Sequence, residues 1–351
     1  MVGPLLRWFR SHRRELPWRG DVDPYRVWVS EIMLQQTQVA TVVAYYQRFV
    51  RRYPNLASLA AANLDDLLKV WEGLGYYRRV RGLKKGADEL VAEGHDQLPP
   101  DYERILALPG VGRSTAGAIL SLGFNRPYPI QDGNVKRVLC RLGAIDGVAT
   151  EPSVQRWLWD TAAALIPRGG ARRLNEALMD FGATVCTPRT PGCDDCPLAK
   201  ACGARHAGDV LAYPRRQRKA KVPHYDVTAA IIQRGQRLLI TKRRAEAMLG
   251  GLWEFPGGKV EPGETLEECL RREVAEELDI VVRIERPFMA VQHAYSHFRI
   301  TLHTFLCRHS RGRPRAIGCD AHRWVSPAEL SDYPFPKADR VVLAALQREL
   351  G

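Results

Sequence analysis

Between residues 24 and 179 the apolar positions recur at helical spacing in long stretches without glycine, residues 27–49 and 56–71 among them. Gly73-Leu74-Gly75, Leu98-Pro99-Pro100, Leu108-Pro109-Gly110 and Asp132-Gly133 interrupt those stretches, and glycine and proline there mark turns between helices. The pattern predicts an all-α region of several helices. After a proline-flanked, charged stretch at 213–223 with nothing apolar to bury, the texture changes. Short β-branched runs at 227–233, 237–242 and 298–306 surround a Gly- and Glu-rich segment and a single helical stretch at 266–278. These predict a small α/β domain, so the chain reads as two domains on either side of a basic linker, without internal repeats.

With 351 residues, 45% apolar and 26% charged, the composition is that of a globular protein with a sizeable core. No stretch approaches the roughly 18 apolar residues of a membrane span, and residues 1–10 alternate basic and apolar positions without a signal-peptide core. The expectation is a cytoplasmic protein that does not engage membranes. The net charge of +13 is uneven: residues 1–222 carry +11 and residues 223–351 only +2. A basic first part either faces a polyanion, most commonly nucleic acid, or is simply a solvated basic surface.

Four of the eight cysteines, Cys186, Cys193, Cys196 and Cys202, fall in one short stretch, while Cys140, Cys269, Cys307 and Cys319 stand apart. In a reducing compartment such crowding reads as metal ligation rather than disulfide formation. Zinc sites usually pair two Cys-x2-Cys knuckles across a longer loop, and only one knuckle is present, so four thiolates from one loop favour an iron–sulfur cubane over zinc.

Three further stretches carry chemistry. Gly110-Val111-Gly112-Arg113-Ser114 is a tight turn opening a helix, either a phosphate grip or an ordinary helix connection. Glu31 lies on a helix that is apolar nearly all round, with Val27, Trp28 and Leu34 on its own side; unless it sits on a wet face, desolvation raises its pKa into the range of a general acid. Asp132 precedes a helix, where it serves as N-cap and is expected to be held ionised by the dipole and backbone donors. In the second part Glu273, Glu276 and Glu277 share one helical face, suited to Mg²⁺ or merely solvated.

The cysteine spacing after the Gly110–Gly112 turn resembles the endonuclease III superfamily of DNA glycosylases, and the segments Ser30-Glu31-Ile32-Met33-Leu34-Gln35-Gln36-Thr37 and Ile130-Gln131-Asp132-Gly133-Asn134 resemble its adenine-specific branch, the MutY proteins. The fold class implied is multidomain: an all-α helix-hairpin-helix glycosylase domain over 1–212 with a [4Fe-4S] cluster loop at 186–202, a linker at 213–223, and an α/β Nudix-like domain over 224–351. The resemblance implies a monomeric, monofunctional glycosylase releasing adenine mispaired with 8-oxoguanine or guanine in double-stranded DNA. Glu31 would protonate the leaving base, and Asp132 would stabilise or transiently bond the sugar. Arg19, Gln36 and Thr37 would line the lesion and its pocket, and Asn134 would position Asp132 or water. Tyr76, beside Leu74 in a Gly-flanked turn, would be the wedge, although a tyrosine in a turn is commonly a packing residue. Gly110, Gly112 and Arg113 would grip the DNA backbone. Ser114 stands where strand-cleaving relatives carry a Schiff-base lysine, so no strand cleavage is expected.

Gly258, Glu264 and Arg272-Glu273-Val274-Ala275-Glu276-Glu277 resemble a Nudix box, with Asp279 where the box has glycine. In the MutY resemblance this domain senses 8-oxoguanine through Tyr295, Ser296 and His297. Leu252-Trp253-Glu254-Phe255 and Tyr333-Pro334-Phe335-Pro336 look instead like MutT, which would make the domain a pyrophosphohydrolase of oxidised nucleotides, alone or as a second activity, using Mg²⁺ at Glu273, Glu276 and Glu277.

Overall fold

The computed structural model describes residues 1–19, 22–215, 222–295 and 297–350. Residues 216–221 of the expected linker and the expected contact Ser296 lie outside the described residues. The chain forms two compact units, residues 1–62 with 81–219, and residues 63–80 with 220–351. The sequence pattern places 63–80 with the helical region; the fold groups it with the α/β region. No helix among the described residues is long and apolar enough to cross a membrane.

The first unit is all helical among its described elements. Helix Pro24–Leu34 starts at Asp23, whose side chain accepts from Tyr25 N–H, and proline takes its first turn, where no amide donor is missed. Helix Arg113–Ala118 runs on into a π-helical turn, Ile119–Gly123. Helix Gly133–Leu142 buries Val135, Val138 and Leu139 against Leu174, Ala177, Leu178 and Phe181 of helix Ala171–Thr184 and Leu5 and Phe9 of helix Val2–His12. These apolar residues recur three and four apart, so each helix shows one stripe to the common core.

The second unit contains a mixed sheet of β1 (His224–Arg234), β2 (Arg237–Lys242), β3 (Trp253–Glu254), β4 (Val281–Ala294), β5 (Arg299–Arg311) and β6 (Ala321–Val325). The strand order is β3-β2-β1-β5-β4, with β6 paired to β2 and β1 parallel to β5. Side-chain alternation along β1 explains the layering: Ala230 and Ile232 pack under helix Leu266–Leu278, and Ala229 and Ile231 under helix Lys337–Leu350. The second covering helix and β4 were not legible from periodicity. β4 is an edge strand with mixed burial and a proline, Pro287, which only an edge tolerates. Segment 63–80 is fastened to this unit by polar contacts: Lys242 Nζ donates to Asp65 Oδ1 at 2.7 Å, and Phe335 N–H to Glu72 Oε1 at 3.0 Å. Asp279 ends helix Leu266–Leu278 at φ 56°, the left-handed conformation for which glycine is the usual choice.

Gly117 lies where the backbones of two segments meet. A Cβ there would stand 2.2 Å from Pro129 O, an immobile backbone atom three residues before Asp132. Gly117→Ala should destabilise the helical unit by about 1–3 kcal/mol, as overpacking does, measured as a fall in Tm; an unchanged Tm would show that Pro129 moves freely.

Candidate active site

Glu31 and Asp132 line one cavity of about 360 Å³, with Arg19, Gln36, Thr37, Ser114 and Asn134 in the same wall. Seven positions expected from sequence are thus brought together from four separate stretches of chain. Glu31 occupies the last turn and a half of helix Pro24–Leu34, whose neighbouring Val27, Trp28, Ser30, Ile32 and Met33 are buried. Burial pushes its carboxyl up to about 7; the negative charge of Asp132 adds to the rise and Arg19 opposes it.

Asp132 caps helix Gly133–Leu142. Its Oδ1 accepts from Val135 N–H at 2.7 Å and its Oδ2 from Asn134 Nδ2 at 3.1 Å. The cap is as expected, but the protonation argument needs correction. Burial raises the Asp132 pKa despite the hydrogen bonds from Val135 and Asn134 and the charge of Arg137, because the group is largely cut off from solvent. Burial raises both acids, and they differ in their donors: Asp132 accepts from Val135 N–H and Asn134, which favour its anion, while Glu31 is raised further by the charge of Asp132.

Asn134 is held in turn by Arg137, whose Nη2 donates to Asn134 Oδ1 at 2.9 Å and to Gly182 O at 2.5 Å, and whose Nε donates to Cys186 O at 2.8 Å. One turn on, the buried Arg141 donates from Nη1 to Thr187 O at 2.7 Å and to Cys186 Sγ at 3.4 Å. Cys186, Cys193, Cys196 and Cys202 all line one small cavity walled by Val138, Phe181, Val185 and Leu198. Burial, with the charges of the other three cysteines, raises the Cys196 thiol against one backbone hydrogen bond. Among the described residues no three His, Cys, Asp or Glu side chains are close enough to hold one metal ion.

The Gly110–Gly112 turn has Gly110 at φ 80°, which a side chain adopts only with strain. Gln35, at the end of the Glu31 helix, donates from Nε2 to Gly110 O at 3.1 Å and to Thr115 Oγ1 at 3.3 Å. Ser114 Oγ accepts from Gln131 N–H at 3.0 Å, so the turn is fixed to the residue before Asp132. Arg113 is exposed, with its guanidinium 4.1 Å from the Trp159 ring centroid.

Leu74 and Tyr76 belong to the second unit. Leu74 is buried; Tyr76 sits at φ 50° between Gly75 and Tyr77. The buried Arg79 holds this turn, donating to Gly75 O at 3.0 Å and Leu74 O at 3.3 Å with its guanidinium 5.2 Å from the Tyr76 ring centroid. At the end of β4, Tyr295 packs on Phe298 at 4.8 Å and His293 at 4.7 Å between ring centroids, and its N–H donates to Phe298 O at 2.8 Å. His297 is exposed in this turn. The three box glutamates are disposed differently from one another. Glu273 and Glu276 accept from Arg272 Nη1 at 2.9 and 3.3 Å, and Glu276 is largely exposed. Glu277 is turned inward; burial, then the charges of Glu254 and Glu273, push it up to about 8, and its Oε2 has no hydrogen-bond partner among the described residues.

Sequence reasoning missed the far wall of the first cavity. Helix Ala171–Thr184 contributes Arg172, Glu176 and Met179 to the lining, and Arg14 joins them from the segment after the first helix. Glu176 and Asp180, four apart on an otherwise apolar helix face, were the available signal.

The HhH-GPD superfamily of base excision DNA repair proteins matches residues 29–163, and the NUDIX domain matches 227–345. An adenine DNA glycosylase of Buchnera aphidicola subsp. Schizaphis graminum is 35% identical over 300 residues, covering 85% of this chain and 84% of that protein. The adenine DNA glycosylase of Homo sapiens is 33% identical over 405 residues, covering 98% of this chain and 73% of that protein. Among solved structures, a thermostable thymine-DNA glycosylase is 30% identical at a TM-score of 0.55, covering 59% of this chain and 95% of that one.

The raised Glu31 carboxyl has a stability consequence of defined sign. Below the ordinary value of 4.5 the proton is bound in both the folded and unfolded states, so nothing is lost. Between there and about 7 the unfolded chain releases its proton while the folded one retains it, so stability falls across that window and stays lower above it. Glu31→Gln, neutral throughout, should leave the Tm near wild type at about pH 4. At about pH 8 it should stabilise by about 1–3 kcal/mol once solvent screening is allowed for. An equal gain at both pH values would place the Glu31 carboxyl in an unperturbed environment.

Proposed function

Because the chain belongs to the adenine DNA glycosylase family, we propose that its helical unit releases adenine mispaired with 8-oxoguanine or guanine in double-stranded DNA, with Glu31 as the acid and Asp132 as the anion. Base excision repair of DNA by removal of adenine follows from the family; the opposing base and the residue roles are the proposal. The observation that carries it is the pairing of two unlike carboxyls in one cavity, Glu31 raised to about 7 by burial and Asp132 held by hydrogen bonds from Val135 N–H and Asn134.

The bond between adenine and deoxyribose breaks readily only if electrons leaving with the base are met by a proton and the positive charge left on the sugar is met by an anion. Glu31 near neutrality holds the proton for N7 of the base. Asp132, kept in place by Val135 N–H and Asn134, faces the oxocarbenium-like sugar, and water completes the hydrolysis. A stacked base cannot reach such a cavity, so the nucleotide must be turned out of the duplex, and Tyr76 on its Arg79-braced turn is suited to fill the gap. Gly110, Gly112 and Arg113 are suited to the backbone, and Ser114 offers no amine for strand cleavage.

A [4Fe-4S] cluster fits the four cysteines: they line a single apolar cavity, influence one another electrostatically, and do not crowd to single-ion distances. Cys186, Cys193, Cys196 and Cys202 would hold it, and when bound it would cross-link the 186–202 loop through four thiolates. The Nudix-like unit is assigned to reading the opposing base, with Tyr295 and His297 in the turn after β4. Mg²⁺ does not fit Glu273, Glu276 and Glu277 in this arrangement, because Arg272 already engages two of them and among the described residues no three carboxylates converge.

Duplexes carrying adenine opposite 8-oxoguanine or guanine test the assignment. Glu31→Gln should bind both yet lose base release by at least about a thousandfold, the upper range of general acid catalysis, and the wild-type strand should stay uncut until alkali treatment. Base excision surviving in a folded Glu31→Gln would remove Glu31 from the chemistry. Wild type should prefer 8-oxoguanine, and His297→Ala should erode that preference by about 1–3 kcal/mol; full retention would end the sensing role. For the cluster, anaerobically prepared protein should be brown with about four irons per chain, and one zinc in a colourless sample would overturn it.

A further inference from the structure

The part of the cavity lining that Arg14 and Arg19 supply hangs on one carboxylate that no motif singled out. Asp180, on helix Ala171–Thr184, is 0% exposed. Its Oδ2 accepts from Arg19 Nη1 at 2.6 Å and from Arg14 N–H at 3.1 Å; its Oδ1 accepts from Arg19 Nη2 at 2.9 Å and Arg14 Nε at 2.5 Å. Both arginines come from residues 13–19, a segment without helix or strand that also supplies Leu16 and Trp18 to the cavity. The remaining ties are weaker: Glu176 lies 3.8 Å from Arg19 Nε and 3.6 Å from Arg13 Nη2, and Arg19 Nη1 also donates to Arg14 O at 3.3 Å. The Arg19 side chain is only 7% exposed, so its charge acts through low-dielectric surroundings rather than being screened by water.

We propose that Asp180 is a positioning residue for base excision: by clamping Arg14 and Arg19 it fixes the wall of the base pocket and balances the Arg19 charge in the cavity that holds Glu31. The argument rests on Glu31 being the acid. Bidentate pairing fixes a guanidinium in plane and direction, which one oxygen contact does not, and here a second arginine shares the same carboxylate. Burial alone would raise the Asp180 pKa, yet the hydrogen bonds and charge of Arg19, with those of Arg14, prevail and lower it, so the clamp stays anionic. The charged groups lining the cavity with Glu31 are Arg14 and Arg19 from the 13–19 segment, Asp132 from the cap of helix Gly133–Leu142, and Arg172 and Glu176 from helix Ala171–Thr184. Of these, Asp132 raises Glu31 and Arg19 lowers it. Taking the charge from Asp180 leaves Arg19 balanced only by Glu176 at 3.8 Å and freer to favour the Glu31 carboxylate, which weakens the acid's hold on its proton at higher pH.

Single-turnover adenine release by wild type, Asp180→Asn, Arg19→Gln and the double variant, followed from about pH 5.5 to about pH 9, tests this. In Asp180→Asn the high-pH limb should move to lower pH, so that the rate at about pH 8 drops roughly three- to tenfold, the effect of half to one pKa unit, with a smaller loss near pH 5.5. Arg19→Gln should move the limb the other way, and the double variant should follow Arg19→Gln. An unmoved limb in Asp180→Asn, or the same shift with Arg19 absent, overturns the proposal. Should Asp180→Asn fail to fold, Arg19→Gln beside Arg14→Gln decides: a limb raised in the first and unmoved in the second supports the clamp, and equal limbs overturn it. Failure of the underlying reading is separate, because it appears as adenine release by Glu31→Gln.

Discussion

The capping of helix Gly133–Leu142 by Asp132 is the interaction on which the site depends. An aspartate that accepts from Val135 N–H satisfies an orphan amide of the first turn, and the same bond prevents its carboxylate from rotating away from the cavity. The helix then carries that position outward in both directions. Its apolar stripe docks on helices Ala171–Thr184 and Val2–His12, and Arg137 and Arg141 on its polar side bind the carbonyls of Cys186 and Thr187. The structural cap and the proposed anion of the site are the same atom set.

Around this helix the cavity works by contrast between acids. Glu31 is desolvated with no hydrogen bond to its carboxylate strong enough to offset burial, and it keeps its proton to near neutrality. Asp132 is also desolvated but accepts two hydrogen bonds, and Asp180 accepts four, all from arginines or their backbone. Burial raises Glu31 and Asp132 alike, the second despite its two hydrogen bonds, and only at Asp180 do the arginine contacts outweigh burial and lower the carboxyl.

The Nudix-like unit applies the same physics to a different end. Arg272 gathers Glu264, Glu273 and Glu276, and Arg243 is paired with Glu254, so most of the acidic set is neutralised from within the fold. Glu277 and Asp339 are instead forced up to about 8 by burial and neighbouring negative charge.

Sequence alone determined whatever is carried by local pattern. Helical spacing, glycine and proline breaks and the period-two runs marked the all-α and α/β regions, because those signals are properties of a few consecutive residues. Glu31, Asp132, the Gly110–Gly112 turn and the four crowded cysteines were legible for the same reason, each lying in a short stretch of unusual composition. Edge strand β4 was hidden because an edge carries polar residues and even proline without penalty. The upward shift of Asp132 depended on how completely the cavity is walled off, which no count of backbone donors reveals. The spacing of Glu176 and Asp180 was a visible signal, but what they pair with was not, because Arg14 and Arg19 lie some 160 residues away in sequence, 161 between Arg19 and Asp180. Only the packing of helix Ala171–Thr184 against the segment after the first helix brings them within hydrogen-bond reach, and a buried ion pair owes its strength to that enclosure rather than to the residues themselves.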